Sequence, residues 1–151
     1  MDAELADASG VPVSIYGPLE LSQRVQALMQ GLTEALQRGL KLGATAVNDA
    51  ARANLSGTRA DPPWSYPVPR RKGNLLRRQQ MKVMDTHTAY VFNDAEYAAA
   101  IHSGYVSEWA GRGKHRMRSR RPRPFLDDGA VSAQPLMVIQ REVEGELQAW
   151  Q

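Results

Sequence analysis

Apolar residues recur every three or four positions across nearly a quarter of this chain: Leu21, Val25, Leu28, Leu32, Leu36, Leu40, Ala44, Val47, Ala51 and Leu55. That period is the α-helix's, so the stripe predicts one long helix over Leu19–Leu55, roughly 55 Å from end to end. A chain of 151 residues has room for a single hydrophobic core. A helix of that length must therefore be the spine on which everything else packs, and the stripe reads as core almost throughout. Gly31, Gly39 and Gly43 interrupt it. Each weakens a helix by about 1 kcal/mol relative to alanine. They mark either a bend or places where another backbone comes close.

The remaining pattern supplies short elements around that spine. Residues 1–10 read as a flexible acidic tail, and 11–151 as a single domain. Val11, Val13 and Ile15 alternate as in a short strand, which Gly17-Pro18 ends. Pro62, Pro63, Pro67 and Pro69 make 57–73 a loop, and Trp64 and Tyr66 within it are expected to pack it down. Asn74 suits the N-cap of a short turn of helix. Met81–Met84 and Ala89–Phe92 alternate as two strands joined around Asp85–Thr88, and Asn93-Asp94 can cap a short helix over Glu96–His102. Residues 103–124 read as a second long loop. Phe125 after Pro124 reads as core, and Leu136, Ile139, Val143, Leu147 and Trp150 form a terminal helix. The expected class is α+β: a long N-terminal and a C-terminal helix on a small, mainly antiparallel sheet, with two long projecting loops.

Charge is unevenly spread. Arg112, Lys114, Arg116, Arg118, Arg120, Arg121 and Arg123 fall in one stretch that holds no acid. Removing those seven from 19 basic residues leaves 12 against 16 acidic, a body near −4 carrying a basic arm. Arg70, Arg71 and Lys72, with Arg77, Arg78 and Lys82, form a second basic group. Such clustering governs encounters with phosphates or acidic surfaces. Arginine's preponderance in the arm favours bidentate pairing with carboxylate or phosphate. Three readings of the arm stay open: contact with a neighbouring subunit, contact with DNA, or solvated charge.

Other chemistry finds little footing. Gly111-Arg-Gly113-Lys114 lacks the earlier glycine, the Ser/Thr and the leading strand of a phosphate loop. His87, His102 and His115 lack metal-ligand spacing, and the chain has no cysteine, so no metal or other cofactor is expected. Ser103 beside His102 is adjacency in sequence, not a nucleophile–base pair. Asp127-Asp128 suits the first turn of a helix. The expectation is a non-enzymatic protein without a signal peptide or membrane span.

The order of these signals resembles the tail-completion family of long-tailed bacteriophages, the small neck proteins also called head–tail joining or tail-terminator proteins. The resemblance rests on Ile15-Tyr-Gly17, the helix Leu19–Leu55, Pro69-Arg-Arg-Lys-Gly73-Asn-Leu75, the strands in Met81–Phe92, Glu96-Tyr97-Ala98, Gly104, and Arg123-Pro124-Phe125-Leu126. It departs from the family's pattern at Arg70-Arg-Lys72, where Asp-Thr is common, and at Ala99, where proline is common. The resemblance implies a virion protein assembled in the host cytoplasm, forming a ring, commonly of six copies, that completes the tail tube. Its partners would be further copies of itself, stopper or portal-side neck proteins and the tail tube protein, with genomic DNA passing through the channel. Arg112, Lys114, Arg116, Arg118, Arg120 and Arg121, then Arg70, Arg71 and Lys72, are the candidate partner or lumen contacts. The alternative is a small basic DNA-binding protein, although no helix shows a basic recognition face and no helix-turn-helix or zinc-finger spacing occurs.

Overall fold

The computed structural model describes residues 4–6, 12–14, 17–56, 73–111, 114–120 and 122–150, with side chains over 17–56, 73–104 and 122–150. The elements run β1 (Glu4–Ala6), β2 (Pro12–Ser14), α1 (Pro18–Ser56), α2 (Asn74–Arg77), β3 (Gln79–Val83), β4 (Ala89–Asn93), α3 (Ala98–Ser103), β5 (Tyr105–Gly111), β6 (Lys114–Arg120), α4 (Phe125–Ala133) and α5 (Pro135–Gln148). The class is α+β, as expected. The strands form three separate two-stranded antiparallel ribbons, β1–β2, β3–β4 and β5–β6. The stretch read as a tail contributes β1, with Leu5 opposite Val13. The proline-rich loop, with Trp64 and Tyr66, lies outside the described residues.

Helix α1 matches the predicted span to within a residue at each end. Pro18 opens it, where a missing N–H costs nothing. The Glu20 carboxylate turns back to accept the Gly17 N–H at 3.2 Å, half of a capping box. The glycines do not break the helix; they let α5 approach. A Cβ on Gly39 would lie 2.8 Å from the Ile139 Cα, and one on Gly43 would lie 3.2 Å from Pro135 Cβ. A Cβ on Gly31 would meet the Glu146 carboxylate. Position 43 faces 135, 39 faces 139 and 31 faces 146, so the two helices are antiparallel. Arg38 ties the seam, 3.6 Å from Glu142 and 3.2 Å from Glu146. Gly129 plays the same part in α4, where a Cβ would come within 3.0 Å of the Ala51 backbone nitrogen.

The terminal helical region divides at Gln134, which has φ 45°. Pro135 disfavours a helical residue before it, so α4 stops there and α5 restarts with proline at its first turn. Helix α2 is capped by Gly73 at φ 66°, one residue before the expected Asn74. Asn93 does not cap a helix directly. Its side chain accepts the Ala95 N–H and donates to the Leu75 carbonyl at 2.7 Å, which closes the turn into α3.

The core sits at the C-terminal end of α1: Leu55, Leu75, Ala95, Ala98 and Phe125, flanked by Leu76, Ile101 and Leu126. Phe125 is fully buried, as expected. Ribbon β3–β4 covers α1 with one face, where buried Gln79 reaches Asn48 and its carbonyl lies near Arg52. The opposite face of the ribbon, with Gln80, Lys82, Tyr90 and Phe92, is exposed.

The expectation that the α1 stripe is nearly all core is corrected. Leu21 is 54% exposed, Val25 47% and Met29 63%, whereas Leu28, Leu32, Leu36 and Leu40 are half-buried and Ala44, Val47, Ala51 and Leu55 are buried. The reason is length. Helix α5 has 14 residues and α1 has 39, so α5 runs out opposite Gly31.

Candidate functional site: the basic ribbon and its root

Within the segment 103–124, expected as a loop, β5 and β6 pair as an antiparallel ribbon. Tyr105 pairs with Arg120, Ser107 with Arg118, Trp109 with Arg116 and Gly111 with Lys114. Two residues, Arg112 and Gly113, connect the strands. Directly opposed residues in an antiparallel pair share a face, and alternate residues along a strand return to it. Lys114, Arg116, Arg118 and Arg120 therefore occupy one face of the ribbon, together with the positions of Tyr105 and Trp109. Glu108, the ribbon's one acid, falls in the other set, opposite Met117.

The root of this arm is fixed at both ends. The Arg123 N–H is shared between the Ile101 and His102 carbonyls at 3.0 and 3.1 Å, which draws the exit of β6 against the end of α3. Gly104 turns into β5 at φ 76°, a conformation that favours glycine. Immediately after Arg123, Phe125 enters the core, and its carbonyl accepts the buried Asn54 amide at 2.9 Å. The His102 ring meets Phe125 edge-on at 5.5 Å between centroids. Its Nε2 is buried, 3.5 Å from an Asp127 carboxylate oxygen but without hydrogen-bonding geometry. The arm thus grows from the best-packed part of the molecule. Asp127 and Asp128 sit in the first turn of α4, where the helix dipole favours them.

Of the nine candidate contact residues, four are brought together by β6. Arg112, Arg121, Arg70, Arg71 and Lys72 lie outside the described residues. Sequence reasoning missed the register partners Tyr105, Ser107 and Trp109. The signal was present: Lys-x-Arg-x-Arg-x-Arg repeats every second residue, the period of a strand, after a two-residue connection ending in glycine. Among the described residues no three His, Asp or Glu side chains gather as a metal site. No described helix is long and apolar enough to cross a membrane.

Elsewhere, the β3–β4 turn is held by Asp85, whose carboxylate accepts the His87 N–H at 2.8 Å. That backbone bond, helped by Thr88, keeps the Asp85 carboxyl below its ordinary range although the group is exposed. The other surface feature is the amino-terminal third of α1, where Leu21, Val25 and Met29 form an exposed apolar row at four-residue spacing.

No family model matches the chain, and neither a curated protein nor a solved structure matches it.

Proposed function

We propose that this chain is a structural subunit of the neck of a long-tailed bacteriophage, forming a ring, commonly sixfold, that completes the tail tube and joins tail to head. The observation that carries the reading is the pairing of two features on one protomer: a β-ribbon arm rooted in the core and an apolar helical row left uncovered. Ring contacts are heterologous, so one surface must present and a different one must accept. A rigid root suits the presenting element. An apolar row beside a body of net negative charge suits the accepting one.

The order of elements also supports it. The long helix, the β3–β4 ribbon, a short helix running into Gly104, an arm, and Arg-Pro-Phe-Leu opening the last helices follow one another as the resemblance implies. Phe125 within that tetrapeptide is the largest fully buried hydrophobic side chain among the described residues. Neighbouring copies, stopper or portal-side neck proteins and the tail tube protein would be the partners, in the virion. No catalytic role is assigned.

The test is disruption of the gene in its phage, followed by negative-stain microscopy of the lysate. Full heads beside separate tails, or tails of uncontrolled length, are expected. Intact particles in normal numbers would overturn the assignment.

A further inference from the structure

We propose that the face of the β5–β6 ribbon holding Lys114, Arg116, Arg118 and Arg120, with Tyr105 and Trp109 at register positions on that face, binds the phosphate backbone of nucleic acid without regard to sequence. The proposal stands on strand register and does not rest on the neck assignment. Alternate residues of an antiparallel strand repeat at roughly 6.8 Å. That is about two base steps of a duplex at 3.4 Å per phosphate on one strand. The four cationic register positions thus span roughly 20 Å, a row of charge long enough to lie along several phosphates of a backbone.

Three features favour a polyphosphate over an acidic protein surface. The repeat is regular across the whole of β6. Glu108 holds a register position on the other face, so every charged register position on this face is cationic. Two aromatic residues are interleaved with the cations, the combination that lets a basic groove also stack bases. The anchoring of both strand ends at Ile101, His102, Arg123 and Phe125 limits the ordering that binding would require.

The experiment is fluorescence anisotropy of the full chain against a labelled 30-base-pair duplex and a labelled 30-nucleotide single strand, from 50 to 200 mM salt. Four neutralised contacts give a log–log salt slope of about −3.6 on duplex and about −2.8 on a single strand. Affinity should then fall about 150-fold or about 50-fold across that range. Replacing Lys114, Arg116, Arg118 and Arg120 together by glutamine should abolish binding. Replacing Arg77, Arg78 and Lys82 by glutamine should leave it. Should the fourfold variant fail to fold, Arg116→Gln and Arg118→Gln singly should each reduce the slope by about one.

Trp109→Ala separates stacking from phosphate contact. A loss of about 5- to 150-fold on the single strand would assign base stacking to that face, and an unchanged single-strand affinity would assign binding there to phosphate contact alone. Absence of binding to both polymers at 50 mM salt overturns the proposal. So does a folded fourfold variant that binds like the wild type, or a preference for poly-glutamate over both nucleic acids.

Discussion

Gly39 and Gly145 offer the same substitution in two environments. A Cβ at Gly39 would stand 2.8 Å from the Cα of Ile139 and 3.3 Å from its carbonyl oxygen, backbone atoms that cannot rotate away. A Cβ at Gly145 would have nothing within 4 Å. Alanine gains up to about 1 kcal/mol of helix propensity over glycine at either position. Gly145→Ala should therefore stabilise the protein by about 0.5–1 kcal/mol. At Gly39 the gain is opposed by forcing α5 away from α1, an overpacking cost of about 1–3 kcal/mol. The difference between the two variants isolates that cost. For a chain of this size, 1 kcal/mol moves Tm by about 2–4 °C. Gly145→Ala should then melt about 2–12 °C above Gly39→Ala in thermal scans read by circular dichroism at 222 nm. Equal upward shifts in both variants would refute the close α1–α5 approach.

Three further outcomes follow from the same geometry. Phe125→Ala should cost about 3–5 kcal/mol, because the ring is fully buried and its backbone is tied to Asn54; chemical denaturation with an unchanged midpoint would contradict its place in the core. Leu21→Ser and Val25→Ser should each change stability by less than about 0.5 kcal/mol, since both are exposed. In the ring reading, however, the double variant should lose self-association; light scattering that shows the same oligomer as wild type would remove that row from the interface. The Asp85 carboxyl is held low by the His87 N–H, so its ionised form is favoured in the folded state. The contribution is present above the ordinary carboxylate range and is lost as pH falls through the depressed folded value. Asp85→Asn should flatten that part of the acid limb of a stability–pH profile, and an identical limb in both proteins would deny Asp85 any part in it.

What was legible in the sequence was what local periodicity encodes. The 3.6-residue stripe of α1 needs no knowledge of the rest of the chain, and its ends are marked by Gly17-Pro18 and Ser56-Gly57. Phe125 was legible because it follows Pro124 and begins the segment that must re-pack against the body after the arm. The β5–β6 ribbon was not. Its period-two signal is written in arginine and lysine rather than in alternating apolar and polar residues. A cationic strand flanked by glycine and proline has the composition of a loop. Register emerges only once two strands are paired, and with it the gathering of four cations and two aromatics on one face. The glycines of α1 posed a similar ambiguity: a kink and a close contact have the same sequence signature until the partner helix is in place.

The α1 stripe carries the last step. Apolar periodicity reports that a helix face is covered, not what covers it. From Ala44 to Leu55 the cover is this chain's own core and α4. From Gly31 to Gly43 it is α5. Over Leu21, Val25 and Met29 the four-residue spacing continues past the end of α5, where nothing in solvent would maintain it. Scattered exposed apolar residues need no explanation, but a row held in phase with a core stripe does. A second copy laid against these turns would extend the same seam along the helix. The apolar area already aligned there is why self-association, rather than a change in folding stability, is the property expected to respond when Leu21 and Val25 are replaced.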